Sequence, residues 1–316
     1  MTSNLLNLTA IAFYIITWVL ITRSVQASIR TPDTTEEKKA GTSKVYFITW
    51  GIALSDHLFS IITPLTNSEE LSLSFVSLGS YVMWFISLIL FISTLSRKIQ
   101  ALAVVILPFT VLSIIFLMLS NGSTDNTIKI NSGLGIHILV SLLAYSTLML
   151  AAIQAILLAT QNNFLHKRLK NPQQSNFFRT LPALEDMEYF LFNLIGVGVI
   201  LLSIGLLSGF YYLDNLFGSS VAHKTILSIL SWIIFSALLL GRWKYGWRGK
   251  TAVRWTISGF AVLALSFFGS KFIQEFVIEE EVSTIYQEQH LNMLKKTPPT
   301  FLPVSNHEQA SKSSTT

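Results

Sequence analysis

The stretch "GLGIHILVSLLAYSTLMLAAIQ" runs from Gly133 to Gln154 and contains no Asp, Glu, Lys or Arg. As an α-helix it would rise about 33 Å at about 1.5 Å per residue, enough to cross a hydrocarbon core of about 30 Å. A spanning strand needs only about ten residues and alternates in polarity, which this stretch does not do. It reads as a transmembrane helix. The same reading extends to the whole chain of 316 residues, 51% hydrophobic and 12% charged, with a mean hydropathy of +0.54.

Apolar blocks predict an all-α integral membrane protein, a polytopic bundle of about eight transmembrane helices. They lie near Leu5 to Ile21, Val45 to Leu65, Leu73 to Leu95, Ala101 to Leu119, Leu134 to Thr160, Met187 to Leu213, Thr225 to Leu240, and Ala252 to Ile278. The first block has no basic segment before it and no small-residue cleavage site after it, so it reads as a retained span. Residues 1–278 form one membrane domain, and residues 279–316 form a polar tail expected to be disordered.

Positive charge alternates between loops. Arg23, Arg30, Lys38, Lys39 and Lys44 follow span one; Arg97 and Lys98 follow span three; Lys167, Arg168, Lys170 and Arg179 follow span five; Arg242, Lys244, Arg248 and Lys250 follow span seven. The other loops are nearly bare. Basic loops stay cytoplasmic, which puts both termini on the outer, periplasmic side and makes the net charge of +5 a topology signal. "HKRLK" and "GRWKYGWRGK" can also hold anionic lipid or RNA, but a solvated loop is the simpler reading and no nucleic-acid partner is expected. Trp243 and Trp247 read as interfacial anchors.

The chain has no cysteine, which excludes disulfides, thiolate metal sites, a thiol nucleophile and thioether attachment of heme. Ionisable residues in or beside the spans are the functional candidates. These are Asp56, His57, His137, Glu185, Asp186, Glu188, His223, Lys271 and Glu275. His137, Ser141 and Tyr145 fall at i, i+4 and i+8, a polar stripe that should face other helices. By the charge rule His137, His223 and the outer half of the span carrying His57 lie toward one leaflet. Water or a backbone carbonyl commonly satisfies such helix-end histidines.

A more specific reading is available. Two imidazoles from facing helices can supply both axial positions of a b-type, non-covalent heme. Zinc would want further N, O or S ligands, and a hard cation would want more carboxylates. His137 and His223 are therefore the candidate axial ligands, Lys224 the candidate partner of a propionate, Tyr145 a further heme contact and His57 a third site or a stabiliser. Glu185 and Glu188 read first as acidic residues complementing a helix N-terminus, and second as contacts to the loop "RWKYGWRGK". Gly196, Gly198, Gly205 and Gly209 read as sites of close helix approach. No phosphate-binding loop or nucleophile motif is present, and no enzymatic turnover is expected.

Residues 133–276 resemble the cytochrome c assembly family of membrane heme-handling proteins. Within it they look most like the eight-span bacterial inner-membrane subfamily of the YpjD and HemX type. The resemblance is carried by His137 and Tyr145, by Ser208 and Gly209 closing a Gly-rich span, and by Trp232, Gly246, Trp247, Arg248, Gly249, Gly259 and Gly269. It implies a multi-pass protein of the bacterial inner membrane that handles heme at the outer face in cytochrome c biogenesis or a related heme role. Implied partners are the bilayer, heme and other cytochrome c maturation proteins. The sequence departs from the family's pattern at the outer loop, "YYLDNLFGSSVAHK", which has no tryptophan, and at Gly241, where relatives place a histidine. The alternative is a transport-related protein or a cation-transport accessory subunit without heme, working beside other membrane transport proteins.

Overall fold

The computed structural model describes residues 2–30, 36–68, 70–96, 99–120, 127–129, 133–168, 183–212 and 222–269. Among them are eight α-helices: α1 Thr2–Arg30, α2 Glu36–Ser68, α3 Phe75–Ser96, α4 Gln100–Leu119, α5 Gly133–Arg168, α6 Leu184–Tyr212, α7 Ala222–Tyr245 and α8 Lys250–Ala264. A π-helical turn, Leu265–Gly269, continues α8. Seven of these helices, α1 to α7, are long and apolar enough to cross a membrane. The expected eighth span is described only to Gly269, and the remainder of it, with Lys271, Glu275 and the tail, lies outside the described residues.

The helices pack as two rings of four. In the first, α1 packs on α2 and α4, and α3 packs on α4 and α2; in the second, α5 packs on α6 and α8, and α7 packs on the same two. Helix α3 joins the rings through α5. Large apolar side chains such as Phe109, Ile200, Leu207 and Phe210 stay exposed on the outside, as a hydrocarbon solvent allows. A short antiparallel ladder, β1 Glu70–Ser72 on β2 Thr127–Lys129, ties the α2–α3 connection to the α4–α5 connection. Those two loops therefore lie at the same end of the bundle, as alternation of the spans requires. The sequence reading had them as plain loops, because three-residue strands carry no usable periodicity.

Proline explains one of the ties in the first ring. Pro108 sits inside α4 and has no N–H, so the carbonyl of Val104, four residues earlier, has no helical donor. Within hydrocarbon water cannot replace that donor. Trp18 of α1 supplies it: its Nε1–H donates to the Val104 carbonyl at 2.9 Å. Two more tryptophans bridge α2 and α3, where Trp50 donates to Ser87 Oγ at 2.9 Å and Trp84 to the Leu54 carbonyl at 3.0 Å.

In the second ring the turn from α7 to α8 is set by two glycines with positive φ, Gly246 at 65° and Gly249 at 54°. Gly246 closes α7 as a left-handed cap, its N–H bonding the Arg242 carbonyl at 3.1 Å. Glu188 then fastens the turn to α6. Its Oε1 accepts the Gly249 N–H at 2.8 Å, and its Oε2 lies 4.0 Å from Arg242, whose guanidinium also covers the Phe192 ring. Of the two readings of Glu188 the structure shows the second: the residue is buried and reaches across to the loop, whereas Glu185 and Asp186 stay exposed in the first turn of α6. Trp247 is half-buried, its indole packed over Gly241 and 5.2 Å from the Trp255 ring, while Trp243 is 86% exposed.

The bond between Trp18 and Val104 has a clean test. Trp18→Phe should cost on the order of 1 kcal/mol by stranding a carbonyl in an apolar setting. In a Pro108→Ala background, where residue 108 regains its N–H, the same substitution should cost much less of the thermal unfolding free energy measured in detergent.

Candidate functional site

Three of the four glycines of α6 face α5. A Cβ at Gly198 would stand 2.4 Å from Leu148 Cδ2, one at Gly205 would stand 3.2 Å from Ser141 Oγ, and one at Gly209 would stand 2.9 Å from His137 Cε1. Gly196 has nothing within 4 Å and takes no part in this contact. The two helices approach closely here because three side chains are missing. The imidazole of His137 thus lies against bare backbone.

Toward the end of the ring that holds His137 the helices enclose a cavity of about 300 Å³. His137, Ser141 and Tyr145 all line it from α5, and Gly205 and Gly209 line it from α6. Leu202, Leu206, Leu263 and Phe267 make most of the remaining wall apolar. Lys224, Thr225 and Ser228 contribute from α7. The π-turn after α8 presents Ser266, whose hydroxyl donates to the Lys224 carbonyl at 2.7 Å and lies 2.9 Å from Ser228 Oγ. A widened turn at a cavity wall is a common setting for a binding site.

A pair of hydrogen-bond contacts holds the His137 ring. Ser208 Oγ lies 2.9 Å from the Gly205 carbonyl and 2.9 Å from His137 Nδ1, and its one proton serves one of the two. With that proton on the Gly205 carbonyl, Nδ1 carries the ring proton and donates to Ser208, which leaves Nε2 unprotonated, with a lone pair. A histidine that ligates a metal is held in this way, with its other ring nitrogen donating to a polar partner.

The structure brings His137, Tyr145 and Lys224 around one cavity and leaves His57 elsewhere. His57 is fully buried in the first ring, its Nε2 3.0 Å from Ser80 Oγ and its ring edge-on to Tyr14. Depth along the membrane follows from the charge rule, but position around the bundle does not. His223 belongs to the first turn of α7, and its side chain lies outside the described residues. Among the described residues no group of three His, Asp or Glu side chains gathers as a metal centre. Sequence reasoning missed Ser208 as the partner of His137, since nothing in the sequence says which face of α6 meets α5.

A family model described as cytochrome C assembly protein matches residues 46–278. The chain belongs to this family. The match begins well before Gly133 and takes in α3 and α4 as well as the second ring. Inner membrane protein YpjD of Escherichia coli strain K12 is 28% identical over 261 residues, covering 82% of this chain and 97% of that protein. Cytochrome c biogenesis protein CcsA of Chlamydomonas reinhardtii is 30% identical over 141 residues, covering 44% of this chain and 38% of that one. CcsA of Cycas taitungensis is 25% identical over 246 residues, 65% of this chain and 75% of its own length. No solved structure matches.

Where family relatives are expected to carry a histidine, Gly241 leaves no room for one. A Cβ there would lie 2.3 Å from Trp247 Cε3. The indole occupies the space that a side chain would need.

Two measurements check the site's geometry. Gly198→Ala should destabilise the protein by about 1–3 kcal/mol through overpacking, whereas Gly196→Ala should be neutral or stabilising. Ser208→Ala should release the tautomer: nitrogen-15 NMR of the His137 ring should show a bare Nε2 in the wild type and a mixture in the variant.

Proposed function

We propose that this multi-pass membrane protein binds a b-type heme non-covalently in the cavity between α5, α6, α7 and α8, and handles it at the outer face of a bacterial inner membrane. The observation that carries the reading is His137 itself, held at Nδ1 by Ser208 Oγ on the wall of a largely apolar cavity between four helices. Membership of the cytochrome c assembly family and the presence of CcsA proteins among the relatives support it.

The residues fit such a group. His137 would supply one imidazole ligand, and the leucines with Phe267 would supply apolar cover. His223, at the start of α7, is assigned the second axial position. Lys224 is assigned to a propionate and Tyr145 to the cavity wall. His57 is assigned a stabilising role in the first ring. When bound, heme is a redox-active iron centre and also the cargo of cytochrome c biogenesis. The protein's own part is to hold it, orient it and exclude water from its faces. Both termini then lie on the outer side, and the basic loops, including "GRWKYGWRGK", face the cytoplasm.

The test is a visible absorption spectrum of protein purified from heme-replete cells. The wild type should show a Soret band, His137→Ala should lose most of it, and His223→Ala should convert a low-spin spectrum to a high-spin one. Protein isolated free of heme and unable to take it up would overturn the reading.

A further inference from the structure

A second cavity, of about 250 Å³, lies at the opposite end of the second ring, among the end of α5, the start of α6 and the start of α8. Its wall has two halves. Lys250 and Arg254, at i and i+4 on α8, share one face of that helix and line the cavity together with Asn162 and Asn163 of α5. Leu158 and Val253 belong to an apolar half. None of the four polar side chains has a hydrogen bond or ion pair to another described residue. The carboxylate of Glu188 also lines the cavity, but its oxygens are engaged by the Gly249 N–H and approached by Arg242, so it offers little to an incoming cation.

We propose that this cavity is a binding site for a phosphate-bearing amphiphile, the headgroup of an anionic phospholipid. Two cations and two amides supply donors for a phosphate, and the partly exposed Ala159 and Leu184 of the lining supply contact for the first methylenes of an acyl chain. The cavity lies at the end of the spans that carries the basic α7–α8 turn, which is the depth at which phospholipid headgroups sit. A solvated basic loop would need no cavity beneath it. The amino end of α8 adds partial positive charge at the same place.

Full-length protein, delipidated in detergent, is titrated with phosphatidylglycerol, with phosphatidylcholine and with inorganic phosphate, and binding is read by native mass spectrometry and by thermal shift. Phosphatidylglycerol should bind and stabilise, and phosphatidylcholine should do so far less. Lys250→Gln with Arg254→Gln should weaken phosphatidylglycerol about thirtyfold, at roughly a few-fold to tenfold for each charge. Arg248→Gln, an exposed cation of the same turn that does not line the cavity, should leave binding unchanged. Equal binding of the two lipids, or equal loss in the Arg248 variant, would overturn the site. Inorganic phosphate binding as tightly as the lipid, and lost in the double variant, would overturn the lipid assignment in favour of a free anion.

Discussion

The close approach of α5 and α6 is the contact on which the second ring depends. Helix association in lipid gains little from the hydrophobic effect, so van der Waals contact and hydrogen bonds across the interface have to supply it. Three glycines on one face of α6 bring the backbones together, and the short distance in turn lets His137 reach Ser208. A bulkier face would move the imidazole away from its partner and release its tautomer. The packing of two helices and the hydrogen bond of one ring nitrogen are therefore a single property of this interface.

The two ends of the second ring are built from different materials. At the His137 end the wall is mostly apolar and several of its polar groups bond one another, as in the bonds joining Ser228, Ser266 and the Lys224 carbonyl. At the other end cationic and amide side chains face a cavity without described partners, and the one buried carboxylate fixes a turn. Helix α8 contributes to both cavities, and its π-turn to the first. This distribution follows the charge asymmetry of the loops, since Lys250 of the basic α7–α8 loop lines the second cavity together with Arg254 of α8.

Hydropathy made the helices legible, because in a bilayer an apolar block of sufficient length has one available conformation. The stripe of His137, Ser141 and Tyr145 was legible for a related reason: helical periodicity places them on one face, and polar side chains in lipid turn inward. What the sequence did not convey was position around the bundle. The charge rule groups His57 and His137 toward one leaflet, yet His57 belongs to the first ring and His137 to the second. Trp247 packs its ring over Gly241, a contact that its basic sequence neighbours do not announce. Each of these depends on which helix faces which, and one chain's local pattern does not encode that.

The bond from Trp18 to the Val104 carbonyl also has a temporal side. Its partners are 86 residues apart and belong to the first and fourth spans. During synthesis α1 enters the membrane while α4 has yet to be made, so the indole N–H waits through two intervening spans for its acceptor. The carbonyl freed by Pro108 appears only with α4, and α1 is the helix that can serve it. Completion of the first ring is thus tied to the emergence of its last helix, and a nascent chain that stalls before Pro108 holds three helices with the closing bond unmade.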